Sequence, residues 1–420
     1  MSRNLLNSSR YKYSRNFIFK TIRLNSQLVR NTLIDASFGL NEQQRQLQQT
    51  ALEFAKRELK PFMRKWDEEE LFPAETLRKA ASIGYAALYT PKECGGAGLS
   101  RFDSSLVVES LAQGCMSTAA FLCSHNIISS LIATFANDNQ KSKYMSDLCS
   151  MKKFGSYCLT EPDAGSDATS LTTVAKKEGD YYILNGTKCF ITGGGESEVL
   201  VVFVRTGEKG PKGITALIVD GHSEGIAYGE NETFIGWRCH PTRTAKFENC
   251  KVPISNILVK EGYGFNIAMK TINGARTNIA SCSLGGAQRA MEETIEHVTN
   301  RKQFNKRIAD FQNTQFRLAE MASELVACRL LVRHAASTLD ASEAGNDKAP
   351  VISIVAAAKM HVTERCFHIA NDCMQLFGAY GCRYDCSLQQ LLRDLRVHRI
   401  VAGTNEMMRL SISRDILPRK

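Results

Sequence analysis

The sequence predicts an α+β protein in which a run of strands is set between two helical regions. Three observations predict it. Apolar residues recur every three or four positions from about residue 41 to 150. The pattern becomes strand-like, with a turn dipeptide, from about 156 to 258. From about 264 to the end the spacing is helical again. Helices, then strands, then helices is an α+β order, not the alternation that builds a parallel βαβ sheet. On this reading residues 1–37 are a leader and 38–155 an N-terminal helical domain. Residues 156–260 are a central β domain and 261–420 a C-terminal helical domain.

The leader carries most of the charge. Arg3, Arg10, Lys12, Arg15, Lys20, Arg23 and Arg30 precede the first acid, Asp35, with serines between them. Leu5, Leu6, Phe17, Ile18, Phe19, Ile22, Leu24 and Leu28 supply an apolar face. An Arg- and Ser-rich, acid-free start is the composition of a mitochondrial transit peptide, and it predicts a matrix location. Taking those seven charges from the net +10 leaves +3 over the remaining 386 residues. That excludes a nucleic-acid footprint. No run reaches the roughly 18 apolar residues of a membrane span, so no partner of either kind is expected.

In the first helical region, Leu47, Ala51, Phe54, Ala55 and Leu59 form one stripe. Pro61, Pro73 and Pro91 punctuate it, and Gly95 to Gly98 mark a loop. In the β region, Tyr181–Leu184, Asn185-Gly186 and Thr187–Thr192 read as strand, type I′ turn and strand. Val199–Arg205 and Ile214–Asp220 read as further strands. In the last region, Val362, Cys366, Ile369, Cys373 and Leu376 make a helical stripe with Gly378 as its cap. Residues 340–350 read as the loop between long helices.

Several chemistries are absent. The 14 cysteines include no CxxC, and Cys382 and Cys386 have no second pair nearby to complete a zinc site. His361 and His368, two helical turns apart, read as structural, so no metal is expected. No GxGxxG opens a helix after a strand and no GxxxxGK[ST] occurs, which disfavours nicotinamide and P-loop enzymes. The informative segment runs from Tyr157 through Cys158, Leu159, Thr160, Glu161, Pro162, Asp163, Ala164, Gly165 and Ser166 to Asp167. Its small side chains, two hydroxyls and turn-freed N–H groups suit a polar ring or phosphorylated ligand, or simply a structured interdomain loop.

Together with five other motifs, this segment resembles the acyl-CoA dehydrogenase family. The others are Asn273-Gly274-Ala275-Arg276, Arg301-Lys302-Gln303-Phe304, Gln375 to Gly381, Arg393-Asp394, and Ala402-Gly403-Thr404-Asn405-Glu406. They stand in family order from about residue 41 to 414. The resemblance implies a β-barrel-like middle domain, a C-terminal four-helix bundle, FAD as cofactor and a homotetramer. It implies that Tyr157, Cys158, Leu159, Thr160, Ser166, Phe190, Ile191 and Thr192 line the flavin. Arg301, Gln312 and Asn313, with Gln375, Leu376, Phe377, Gly378 and Ala379, would hold the adenine and pyrophosphate end, partly across a subunit interface. Thr404, Asn405 and Glu406 would close the flavin site. Ser166, Asn273, Gly274, Ala275, Arg276 and Arg414 would contact the acyl-CoA.

The implied reaction is α,β-dehydrogenation of a short branched-chain acyl-CoA, isobutyryl-CoA to methacrylyl-CoA in valine breakdown. Its electrons would pass to electron-transfer flavoprotein. The sequence departs from the pattern at one place. Where most of the family has a glutamate base, residue 402 is Ala, and the position that serves two branches of the family is Ala275. Three readings stay open: an impaired or inactive FAD/acyl-CoA-binding homologue, a substitute carboxylate such as Glu406, or a local sequence change in an ordinary enzyme.

Overall fold

The computed structural model describes residues 29–345 and 350–418. The basic residues before Val29, and with them the targeting expectation, lie outside the described residues. Val29 and Ile34 belong to the span read as leader, yet both are buried in the helical core. The Arg333 guanidinium donates to the Ala36 and Phe38 carbonyls. Composition sees a basic stretch; it does not see where packing begins.

Six helices come first: α1 Glu42–Phe54, α2 Met63–Glu68, α3 Ala74–Ser82, α4 Arg101–Ala112, α5 Met116–Phe135 and α6 Asp138–Cys149. Asn41 and Asn137 begin α1 and α6 with reciprocal side-chain bonds to Gln44 and Gln140, which satisfies donors that a helix start leaves open. Among the described residues α5 alone is long and apolar enough to cross a membrane, but 72% of its apolar stretch is buried inside the molecule. It is a core helix.

The sheet contains β1 Gly155–Cys158, β2 Val174–Glu178, β3 Tyr181–Thr192, β4 Val199–Arg205, β5 Ile214–Asp220, β6 Ile226–Tyr228 and β7 Thr242–Pro253. They pair in the order β1-β4-β2-β3-β7-β6, with β5 also on β4. Alternation sorts the central strands onto two faces. Val199, Val201 and Phe203 pack toward α5, α6 and the first turns of the next helix. Leu200, Val202 and Val204 fill the curl of the sheet with Leu184, Leu217 and Phe247. Both faces are covered, so these strands read as continuous apolar runs.

The expected hairpin at Asn185-Gly186 is not there. β3 runs straight through as a 12-residue strand, and its register against β7 shifts between Leu184 and Gly186. Gly186 has φ 147°, and a Cβ there would sit 2.6 Å from the Thr173 Cα. A glycine in a strand marks a bulge and a close neighbour as readily as a turn.

The last region holds α7 Gly264–Asn300, the small ladder β8 Lys302–Gln303 and β9 Lys306–Arg307, then α8 Gln312–Glu343, α9 Val351–Phe377, α10 Ser387–His398 and α11 Asn405–Ile416. α9 ends at Gly378 with φ 59°, as its sequence predicts. Asp340 lies within α8 rather than in a loop, and its carboxylate accepts the Arg101 and Phe102 N–H groups that begin α4. Gly285 on α7 lets α4 approach so closely that a Cβ would collide with the Glu109 carbonyl.

Candidate active site

The chain between α10 and α11 makes a sharp reversal. Ala402 has φ 56° and Gly403 φ 90°, two left-handed residues in succession. For Ala this conformation is strained, and it persists only where surroundings hold it. Three contacts do so here. The Ala402 carbonyl accepts from Arg276 Nε at 3.2 Å. The Gly403 carbonyl accepts from Lys359 Nζ at 2.9 Å. Thr404 Oγ1 accepts the Met407 N–H and so starts α11.

Arg276 projects from α7, 9% exposed, and its Nη1 donates to Asn273 Oδ1 at 3.1 Å. Burial depresses its pKa to about 10. Beside it, Gly274 packs against Arg101, whose guanidinium lies 3.6 Å over the Tyr89 ring. The Tyr89 hydroxyl accepts from Asn278 at 3.2 Å. Half-buried Ala402 closes a small apolar cluster with Ala120, Trp237, Ile279, Val397 and Val401. Tyr89, Arg101 and Asn278 were not foreseen; only three-dimensional packing brings them to Arg276.

The Tyr157–Ser166 segment and the Phe190–Thr192 segment meet. Cys189 N–H donates to the Thr160 carbonyl at 2.8 Å, and Ser156 Oγ donates to the Thr192 carbonyl at 2.5 Å. A second bulge between Lys188 and Ile191 releases Phe190 from the ladder, with φ 56° and the residue 57% exposed. The Thr160 and Ser166 hydroxyls make no hydrogen bond among the described residues. A strained, outward-facing aromatic beside two uncommitted hydroxyls fits a planar polar ring such as isoalloxazine. The Tyr157 ring itself turns toward Phe203, and Leu159 and Cys158 are buried in the two sheet cores.

Glu161 shapes this segment. Its carboxylate accepts from Lys188 Nζ at 2.7 Å, from Thr172 N–H and Oγ1, and from Thr173 N–H. Burial alone would raise its pKa, but the Lys188 charge and these donors outweigh that and hold it at about 2. Nothing in the local sequence signals this role, because Lys188 lies 27 residues further on, in β3.

The loop from Phe234 to Pro241 joins the two halves. The Phe234 ring lies 6.2 Å from that of Phe190, and the Pro241 carbonyl accepts the Gly193 N–H. Trp237 N–H donates to Asp394 Oδ1 at 2.7 Å, next to the Ala402 reversal. Burial raises the Asp394 pKa well above the usual carboxylate range. Arg393 turns the other way, to Asp67 and the Ile235 carbonyl.

The remaining expected residues are placed elsewhere. Asn405 is buried, and its side chain bonds Lys359 and Thr363. Glu406 is exposed and paired with Arg409 at 3.2 Å, not with Arg276 or Lys359. Arg414 is exposed on the last turn of α11 and makes no hydrogen bond among the described residues. Arg301, Gln312, Asn313, Gln375, Gly378 and Ala379 are exposed where α7 and α9 end and α8 begins, with Leu376 and Phe377 half-buried. His297 stacking on Phe377 at 4.1 Å ties these ends together. Twenty-five residues of continuous α7 separate Arg276 from the Arg301 cap, about 37 Å at helical rise. Within one chain the expected residues therefore lie in two separate groups. His361, read as structural, approaches Glu324 and Cys328, but Arg365 also reaches Glu324 at 3.7 Å.

Comparison with known proteins gives the family and the fold. The acyl-CoA dehydrogenase N-terminal, middle and C-terminal domains match residues 41–152, 156–250 and 262–417. The chain is 48% identical over 388 residues to a mitochondrial isobutyryl-CoA dehydrogenase of Dictyostelium discoideum, covering 92% of each chain. It is 46% identical over 384 residues to that of Bos taurus, covering 91% of each. The solved butyryl-CoA dehydrogenase of Megasphaera elsdenii superposes with a TM-score of 0.86 at 32% identity, over 91% of this chain and 100% of that one. The chain belongs to the acyl-CoA dehydrogenase family of FAD-dependent oxidoreductases.

Proposed function

We propose that this protein acts on a short branched-chain acyl-CoA, isobutyryl-CoA, to give methacrylyl-CoA in the mitochondrial matrix as a step of valine breakdown. The observation that carries the reading is the small apolar cluster around Ala402, set directly against the buried Arg276 guanidinium. Ala120, Ile279, Val397 and Val401 suit a compact branched acyl group, while Asn273 and Arg276 offer donors to its polar thioester end. The likeness to two isobutyryl-CoA dehydrogenases supports the same substrate.

FAD, when bound, supplies a hydride acceptor. For this chain, the Tyr157–Ser166 and Phe190–Thr192 segments would hold the ring. Thr404 shapes the turn that closes the site, Asn405 braces it from within, and Glu406 lies outermost. The exposed cluster of Arg301, Gln312, Asn313 and Gln375 to Ala379 would hold the far end of the cofactor on a partner copy, within a homotetramer. Arg301 suits pyrophosphate as a permanently charged, forked donor. Electron-transfer flavoprotein would take the electrons onward.

Ala402 supports a second reading, that turnover is weak. The α-carbon of a thioester is a weak acid, and its proton must pass to a base within hydrogen-bond reach. A methyl group accepts none. The test is anaerobic titration of the purified yellow protein with isobutyryl-CoA, isovaleryl-CoA and butyryl-CoA. Fast bleaching with isobutyryl-CoA alone supports the first reading. Slow bleaching that Ala402→Glu accelerates supports the second, and no response to any of the three with either protein overturns both.

A further inference from the structure

Five Lys and Arg side chains are buried among the described residues: Lys188, Arg276, Arg289, Arg329 and Lys359. Three have a carboxylate in contact, Glu161 at 2.7 Å, Glu293 at 2.8 Å and Glu109 at 2.9 Å. That is the expected arrangement, because a buried charge is costly unless paired. Arg276 and Lys359 break the rule. Their hydrogen-bond partners are all neutral: the Ala402 carbonyl and Asn273 Oδ1 for one, the Gly403 carbonyl and Asn405 Oδ1 for the other.

These two exceptions are not scattered. They come from different helices, α7 and α9, and converge on adjacent residues of one turn. Arg276 Nη2 makes no hydrogen bond among the described residues, and it lies 3.6 Å from where a Cβ on Gly403 would stand. Two acids, Glu406 and Glu364, act on Lys359 through their charge, but neither is hydrogen-bonded to it. Glu364 pairs with Arg409 at 2.7 Å and Arg399 at 3.9 Å, and Glu406 pairs with Arg409. The turn therefore brings two buried cations together, offers an unused donor, and presents only a methyl group and a hydrogen at residues 402 and 403.

We propose that this turn is a binding site for a small monocarboxylate anion such as formate or acetate, held by Arg276 and Lys359 beside Ala402. Burial first and the Arg276 charge second depress the Lys359 pKa to about 7, and the Glu406 and Glu364 charges offset this only in part. The consequence rests on the acyl-CoA reading above. A carboxylate held there takes the substrate α-proton as its own O–H and leaves as the acid, while the electron pair follows the route of the proposed reaction.

The test is calorimetric titration of the FAD-loaded protein with sodium formate, against sodium chloride at equal ionic strength. Saturable formate binding is expected in the native protein, with at least a tenfold loss in Lys359→Met and Arg276→Gln. Ala402→Glu keeps both cations and folds around a built-in carboxylate, so it is expected to bind no formate. Turnover of isobutyryl-CoA should rise saturably with formate in the native protein and not in Ala402→Glu. Equal formate binding by native protein and Ala402→Glu, or none by either, overturns the inference. An active Ala402→Glu beside a native protein that ignores formate overturns it and spares the acyl-CoA reading. Saturable formate binding beside an inert Ala402→Glu does the reverse.

Discussion

Ala402 and Glu161 show how much a single side chain decides. At 402 the backbone is already turned for the chemistry, with both carbonyls of the reversal held by buried cations. What residue 402 presents is a methyl group, where the proposed reaction needs a proton acceptor. Ala402→Glu is therefore expected to raise the rate of flavin bleaching by isobutyryl-CoA about 10²–10⁴-fold, the usual contribution of a general base. Glu161 is the opposite case, a carboxylate in a segment that reads as a ligand loop but whose work is structural. Glu161→Gln leaves Lys188 buried without a counter-charge, at a cost of about 3–5 kcal/mol that a urea melt would report. Its pH signature follows from sign. The folded pKa of about 2 lies below the ordinary glutamate value, so the pair stabilises fully above about pH 4.5. That stability is lost as pH falls from there toward 2, and Glu161→Gln should flatten this part of the acid-unfolding curve. The sequence displays both residues but not their partners. Lys188 and Arg276 come from distant segments, and no local pattern links them.

At the scale of elements, periodicity revealed the helices, because apolar spacing and burial have the same cause. The Val362–Leu376 stripe and its Gly378 cap appear as written. Asn185-Gly186 misled, since the same dipeptide serves a turn or a bulge and only the close approach of Thr173 decides between them. The Phe234–Pro241 loop had no signal at all; its role comes from reaching Phe190 on one side and Asp394 on the other. The α4–α7 contact gives a sharper expectation. Gly285→Ala places a methyl group against the Glu109 carbonyl, and overpacking of this kind costs about 1–3 kcal/mol. Thermal unfolding followed by circular dichroism should show a lower midpoint. An unchanged one would mean that α4 and α7 part freely.

For the whole molecule, the family and its three domains were legible from motifs in fixed order, and the resemblance already set the Arg301 group partly across a subunit interface; the length of helix between the two groups was not legible. Spacing along a chain does not state that the residues between Arg276 and Arg301 form one continuous helix. The exposed cluster at the far end carries its own expectation. Phe304, three residues after Arg301, is 89% exposed, and Phe316 on α8 is 57% exposed. Arg301→Ala should leave the chain's unfolding midpoint within the roughly 0.5 kcal/mol typical of surface changes. It should nevertheless lower the FAD retained after gel filtration, and dilution should deepen that loss, since binding that needs a second copy follows protein concentration.

The length of α7 also bears on heredity. If the Arg301 end of one subunit completes the pocket of its neighbour, a lesion there harms a chain other than the one that carries it. A lesion at Arg276 stays with its own chain. In mixed assemblies with normal copies each kind would spoil about half of the pockets, the first through the neighbour and the second through the pocket's own chain. Two differently damaged copies, one at each end of the helix, would still assemble some intact pockets between them.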